Sequence, residues 1–184
     1  MCIIKSEKEV KSFVEEIEKE YLYYLYKEFH SIFPKCCHQA TGILCGYIQC
    51  FNRGYVHKYV SDVPYPHSYI SNNEGVIIDF TSFQYYLTSY FNNIMTEELD
   101  KDALYDMVKK YQAFPITKYK GIDVGSGFIE ESYIEGTFDV KEIQCRYVAI
   151  MEEERIVDNY EFNKNDFMMY CSKFGRDIAD LYHL

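Results

Sequence analysis

The residues with the clearest chemical potential are a histidine and an aspartate that flank a short segment, His67 and Asp79. Between them, residues 72–75 (Asn-Asn-Glu-Gly) separate two runs typical of β-strands, and Asn and Gly favour the backbone angles of a tight hairpin turn. In an antiparallel hairpin, the start of one strand lies opposite the end of its partner. The spacing therefore predicts that the His67 imidazole and the Asp79 carboxylate meet at one end of the hairpin, where the carboxylate can orient the ring.

A nucleophile for this pair is expected upstream, in the stretch "FPKCCHQATGILCGYI". Pro34 ends the preceding helix and delivers Cys36 and Cys37 to the first turn of an apolar helix. A helix N-terminus carries partial positive charge, and together with a nearby imidazolium it can lower a thiol pKa from roughly 8.5 to about 3.5–7.5. Thiolate, imidazole and carboxylate are the groups of a cysteine-based catalytic triad.

The order of these groups resembles the transglutaminase-like branch of the papain-like cysteine enzymes, whose second motif occurs in many bacterial and phage proteins. That motif is a histidine with a nearby aromatic residue, followed by G-x-x-[IV]-D-x-T-x-x-Q-[FY]. The resemblance covers about residues 34–86, and the matching residues are His67, Tyr69, Gly75, Ile78, Asp79, Thr81, Gln84 and Tyr85.

Two details of the resemblance select the nucleophile and leave one role unassigned. Members of the family often carry a small residue three or four positions after the nucleophile, and Ala40 and Thr41 stand at that offset from Cys37. From Cys36 the same offset reaches Gln39 and Ala40, of which only Ala40 is small, so Cys37 is the predicted nucleophile. The chain lacks the usual Gln a few positions before Cys37, and the backbone N–H of Cys37 becomes the default oxyanion donor.

The resemblance implies one α+β domain over residues 1–184, with a papain-like, transglutaminase-core fold in which the nucleophile helix packs on an antiparallel sheet. It implies acyl transfer at an amide or peptide bond of a protein or peptide substrate, without a cofactor. Water as acceptor would make the protein a peptidase, amidase or deamidase, and an amine would make it a transglutaminase. Gln84, Tyr69 and Thr81 are the predicted supporting residues, and Tyr69 stands where the family usually has Trp.

The surrounding pattern predicts four helices and several strands. Ser6 and Glu9 form a capping box that starts a helix reaching about residue 29. Further helices are expected from about residue 37 to before residue 54, over 97–111 and over about 164–181. Strands are expected within 54–63, 68–71 and 76–78, and the Gly-punctuated, β-branched stretch 121–151 predicts two or three more.

Composition narrows the function classes. The chain has 184 residues and a formal net charge of -10, with its basic residues scattered, which argues against a nonspecific nucleic-acid binder. The beginning of the sequence lacks a signal peptide, and no run of about 18 apolar residues predicts a membrane span. A cytoplasmic protein with reduced thiols is expected, because seven cysteines cannot all pair within one chain. The oligomeric state is left open.

Other interpretations remain at this stage. Cysteines are commonly buried for packing alone, Asp79 is suited to capping a turn through Thr81, and His57 is kept as a substitute base. A zinc site at Cys36, Cys37 and His38 is not expected, because adjacent residues rarely all reach one ion and the usual second ligand pair is missing. The rival function is a non-catalytic binding protein that uses an aromatic groove, built from the Tyr-rich residues 21–26 and 83–91.

Overall fold

The computed structural model describes residues 4–60, 67–81, 83–84, 98–109, 116–118, 137–139 and 160–180. Within these residues the protein is a mixed α+β structure, as the sequence predicted. The helices are α1 (Glu7–Glu28), α2 (Cys37–Phe51), α3 (Lys101–Lys109) and α4 (Lys164–Asp180). The strands are β1 (Tyr55–Val60), β2 (His67–Asn72), β3 (Val76–Ile78), β4 (Ile116–Lys118) and β5 (Thr137–Asp139).

The strands form one antiparallel sheet in the order β4-β3-β2-β1-β5. The predicted hairpin joins β2 to β3, and its turn is closed by the side chain of Asn72. The Asn72 Oδ1 accepts the backbone N–H groups of Glu74 at 3.0 Å and of Val76 at 2.9 Å. Gly75 completes the turn with a φ of 76°, a conformation that favours glycine. This turn sets the register that brings the two ends of the hairpin together.

Helix α2 is buried along most of its length among the described elements, and most of its buried residues are apolar. It packs on β1 and β2, and on another side it contacts α4. Two buried tyrosines of neighbouring helices anchor it through its backbone carbonyls. The Tyr21 hydroxyl donates to Ala40 O at 2.6 Å, and the Tyr170 hydroxyl donates to Ile43 O at 3.3 Å. The position of the first turn of α2 is thus fixed by buried contacts along the helix.

Helix α1 begins where its capping box was predicted. The Ser6 side chain accepts the Glu9 N–H, and the Glu9 carboxylate accepts the Ser6 N–H at 2.8 Å. One face of α1 enters the common core, which it shares with α2, the sheet and α4. The buried apolar residues of that face are Val10, Phe13, Val14, Ile17, Tyr21, Leu22, Leu25 and Tyr26.

The third helix begins later than the sequence predicted. Its expected start at residue 97 is wrong because Asp100 caps the helix: its Oδ1 accepts the Ala103 N–H at 2.8 Å, and residues 98–100 precede the first turn. Of the strands predicted within 121–151, the structure describes β5, and the remainder of that stretch lies outside the described residues. In the part of the chain that is described, no helix is both long and apolar enough to span a membrane.

Candidate active site

The predicted histidine and aspartate meet at the open end of the β2–β3 hairpin. His67 is the first residue of β2 and Asp79 follows β3, and the His67 Nε2 lies 2.7 Å from the Asp79 Oδ2. Both side chains are nearly inaccessible, at 2% and 6% exposure. The other carboxylate oxygen of Asp79 accepts the N–H of Thr81 at 2.9 Å. Asp79 therefore caps the turn with one oxygen and pairs with the histidine through the other, so both interpretations of the sequence apply.

The sulfur of Cys37 is the third group at this ring. The Cys37 side chain is hydrogen-bonded to His67, and Cys37 is the first residue of α2. The neighbouring Cys36 points instead into the hydrophobic core, where it is completely buried. Burial raises the pKa of the Cys36 thiol, which keeps it neutral. The structure thus brings together Cys37, His67 and Asp79 and leaves Cys36 among packing residues.

Two opposing effects determine the charge of His67. Burial alone would lower the pKa of this ring, because a low-dielectric environment disfavours the charged form. The attraction and hydrogen bond of Asp79, with further contributions from Cys37, outweigh burial and raise the pKa of His67 to about 10. The ring is therefore an imidazolium at neutral pH. An imidazolium in hydrogen-bond contact with a thiol stabilises negative charge on the sulfur.

The second ring nitrogen of His67 faces Gln84. The Gln84 side-chain nitrogen lies 2.5 Å from the His67 Nδ1, and the Gln84 residue is buried. Because Nδ1 of an imidazolium carries a proton, its hydrogen-bond acceptor at this position is the side-chain oxygen of Gln84, which requires the opposite orientation of the amide. Tyr69, another predicted supporting residue, is buried two residues along β2 and by strand alternation shares a sheet face with His67. Tyr85 lies outside the described residues.

A second group of polar side chains adjoins Cys37, His67 and Asp79, and the sequence did not predict that its members contact one another. The hydroxyl of Ser68 lies 2.6 Å from the His38 Nδ1 and 2.8 Å from the His57 Nε2. We call these three residues the His–Ser–His bridge. Each bridge residue beside the triad directly follows a triad residue: His38 follows Cys37, and Ser68 follows His67. The sequence alone therefore contained a sign that His38 and Ser68 lie near the site.

Both rings of the bridge are uncharged at neutral pH. Burial lowers the pKa of His38 to about 4 and that of His57 to about 3, and the nearby charge of His67 contributes in the same direction. The expectation that His57 is a substitute base does not fit this environment, because a base with a pKa of about 3 has little affinity for a proton at pH 7. His57 instead pairs with Ser68.

The remaining described cysteines agree with a packing role. Cys45 and Cys171 are buried in the core, where burial raises the pKa of each thiol. Cys50 is half-buried and donates to the Gly46 carbonyl at 3.2 Å. Among the residues that the structure describes, no group of three or more His, Cys, Asp or Glu side chains is arranged to hold a metal ion.

The aromatic groove proposed for a binding protein is not formed by residues 21–26. Tyr21 and Tyr26 are fully buried in the core, and Tyr23 and Tyr24 pack against it from its edge. In the second Tyr-rich stretch, Phe83 is fully buried, while residues 85–91 lie outside the described part of the chain.

No family model matches the sequence, and neither the curated proteins nor the solved structures contain a match to it. What the site does is therefore inferred from its own residues.

Proposed function

We propose that the protein is a cysteine-dependent acyl-transfer enzyme that acts on an amide or peptide bond. The observation that carries this proposal is the buried His67 ring, which is held 2.7 Å from the Asp79 carboxylate and hydrogen-bonded to the Cys37 side chain. A nucleophile, a base in contact with it and a group that orients the base are the geometric signature of covalent catalysis. Cys37 is the nucleophile, His67 the general base and acid, and Asp79 the orienting group.

In the first half of the reaction, the Cys37 sulfur attacks the carbonyl carbon and a C–S bond forms. The carbonyl electrons move to the oxygen, where the oxyanion needs hydrogen-bond donors. The N–H of Cys37 is one such donor, because it lies in the first turn of α2, where backbone N–H groups have no acceptor within the helix. When the oxyanion collapses, the C–N bond breaks and the His67 imidazolium gives its proton to the leaving amine. A thioester and a neutral His67 remain.

In the second half, the acceptor attacks the thioester carbonyl. Neutral His67 takes a proton from a water molecule or an amine as the new bond forms, and the C–S bond then breaks. The sulfur leaves as a thiolate and His67 is again an imidazolium, which is the starting state. The steps are the same for hydrolysis and for amine transfer, so the acceptor depends on groups that bind it rather than on the triad.

The arrangement of elements supports the papain-like, transglutaminase-core fold as part of this proposal. A thiol at the start of a central helix, a histidine at the start of a strand and an aspartate at the end of the next strand follow the order that the resemblance implied. The thiol helix also packs on the antiparallel sheet, as expected. A protein or peptide substrate is the corresponding substrate class, because the triad attacks an amide carbonyl.

The test is the reactivity of Cys37 towards iodoacetamide, measured by mass spectrometry of the intact chain and of its peptides. The neutral reagent should label Cys37 faster than the other cysteines at pH 7, because His67 stabilises the thiolate. Cys37→Ala should remove the fast phase. Cys36→Ser is the matched control: it changes the adjacent cysteine, and the fast phase should persist.

Loss of fast labelling in Cys36→Ser, with retention in Cys37→Ala, would move the nucleophile to Cys36. Labelling of Cys37 at the rate of an ordinary thiol would argue against catalysis. It would favour the alternative, a non-catalytic binding protein on the same scaffold.

A further inference from the structure

The His–Ser–His bridge connects the same two elements as the triad, one residue further along each of them. Cys37 contacts His67, and His38 contacts Ser68, so two adjacent residues of α2 meet two adjacent residues of β2. His57 extends the connection to β1 through its own contact with Ser68. The first turn of α2 is therefore held to two strands immediately beside the thiol.

The hydrogen bonds of the bridge are directional. Ser68 is fully buried, and a buried hydroxyl hydrogen requires an acceptor. The Ser68 hydroxyl can donate to one ring and accept an N–H from the other, which fixes a tautomer at each histidine. With both contacts between 2.6 and 2.8 Å, neither ring can shift along the sheet without losing a bond. Apolar packing alone would not impose such a position.

The bridge is built from groups that do not compete with the triad for protons. A positive charge on either ring would repel the His67 imidazolium, and such a charge is disfavoured because burial keeps the pKa of His38 near 4 and that of His57 near 3. Passing a proton along the bridge would require one of these rings to become charged. The bridge is therefore suited to holding a geometry and unsuited to relaying protons.

We propose that the His–Ser–His bridge is a positioning device for the nucleophile: it fixes the first turn of α2 against the start of β2, so that the Cys37 sulfur stays in contact with His67. Its three residues act through Cys37 and His67, and they need not touch the substrate. This inference rests on the proposed function for its kinetic readout. It adds two positioning residues beside the triad and gives His57 a role other than that of a base.

The decisive variant is Ser68→Ala, which removes both hydrogen bonds and little volume. The rate of Cys37 labelling by iodoacetamide is measured from pH 4 to 10, together with the melting temperature. A displacement of about 1 Å at a reacting pair can cost roughly 10²-fold in rate, so we expect labelling at pH 7 to fall about tenfold or more. The pH profile of labelling should also change, because the contact between Cys37 and His67 is weakened. Ser71→Ala on the same strand is the matched control and should label like the parent.

A pair of substitutions at His57 separates positioning from folding. The side-chain amide of glutamine can occupy the place of Nε2, so His57→Gln should keep the bond to Ser68 and much of the labelling rate. His57→Leu fills the site without that bond and should lose the rate as Ser68→Ala does. If Ser68→Ala does not fold, the comparison of His57→Gln with His57→Leu tests the proposal in its place. Folded variants that label at the parent rate with the parent pH profile would overturn the proposal, and the bridge would then be a packing contact.

An NMR titration of the His67 ring tests the positioning role of the bridge separately from the proposed catalytic function. If Cys37 of the parent labels at the rate of an ordinary thiol, the proposed function fails. In that case Ser68→Ala should still change the titration of the His67 ring protons, because the contact with Cys37 that raises the His67 pKa would be weakened. An unchanged His67 titration in Ser68→Ala would overturn the positioning role, whether or not the parent is reactive.

Discussion

Replacing Asp79 by Asn removes a negative charge beside the His67 ring while keeping the shape of the side chain. The Asn oxygen can still accept the Thr81 N–H that Asp79 Oδ1 accepts at 2.9 Å, so the turn after β3 is preserved. What changes is the contact with His67 Nε2, now 2.7 Å from a carboxylate oxygen. An amide at that place attracts the ring proton weakly, and if its nitrogen faces the ring it favours the wrong tautomer.

The size of the effect follows from the neighbouring rings. With Asp79 present, the pKa of His67 is about 10. His38 and His57, where burial is the dominant influence, have pKa values of about 4 and about 3. If His67 fell to a pKa of about 4, roughly one ring in 10³ would be protonated at pH 7. If it returned to about 6.5, roughly one in four would be, and the loss of orientation would add to that. We therefore expect Asp79→Asn to slow Cys37 labelling by about 10–10³-fold.

The assay is the iodoacetamide labelling rate as a function of pH, with Thr81→Val as the matched control. Thr81→Val removes the hydroxyl that lies 3.3 Å from the same carboxylate but keeps the charge, so labelling should slow much less than in Asp79→Asn. An Asp79→Asn protein that is folded and labels with the parent pH profile would refute the role of Asp79. If Asp79→Asn does not fold, the main role of Asp79 is to cap the turn after β3.

Three further outcomes test the packing and charge assignments. A Cβ at position 175 would clash with the Tyr24 hydroxyl oxygen, so Gly175→Ala should lower the free energy of unfolding by up to about 2 kcal/mol in denaturant titrations, the overpacking cost less the helix gain. In a Tyr24→Phe background the loss should largely disappear, and its persistence would contradict the contact. Ser6→Ala removes the side-chain cap of α1 and should lower the free energy of unfolding by about 1 kcal/mol, measured in the same way. An unchanged denaturation midpoint would mean that other contacts stabilise the first turn. The pKa values of His38 and His57 are lowered in the folded state, so their contribution is present above about pH 6.5 and is lost as the pH falls. Stability should drop by up to about 3 kcal/mol per pH unit near pH 5, where the unfolded chain binds about two more protons, and a flat profile there would show that the rings are charged in the fold.

The hairpin that carries His67 and Asp79 could be predicted because its information is local. Asn72 and Gly75 specify the turn, and a two-strand register then places the hairpin ends opposite each other without knowledge of the rest of the chain. The position of Cys37 at the start of α2 was also readable, because Pro34 and the apolar pattern that follows mark a helix boundary. The catalytic roles of these residues stay predictions until the labelling experiments are done.

What could not be predicted depends on packing between distant elements. The choice of Cys37 over Cys36 rested on a resemblance, and the physical reason, that Cys36 points into the core, exists only once α2 has docked. The contact between His38 and Ser68 spans 30 residues of sequence, so no pattern within one helix or one strand predicts it. His57 was noticed for its place on a strand, but its pairing with Ser68 depends on the register of β1 against β2.

The spacing of the site residues along the chain has a consequence for refolding. His67 and Asp79 are separated by 12 residues, within one hairpin of a kind that closes in about 1–10 μs. The contact between Cys37 and His67 needs a helix to dock across about 30 residues, and contacts between distant parts of a chain form more slowly. We expect the acid–base pair to assemble before the sulfur arrives beside it. A chain on the ribosome or recovering from heat would then carry an ordinary thiol until its final docking, and its covalent reactivity would appear only with the complete fold.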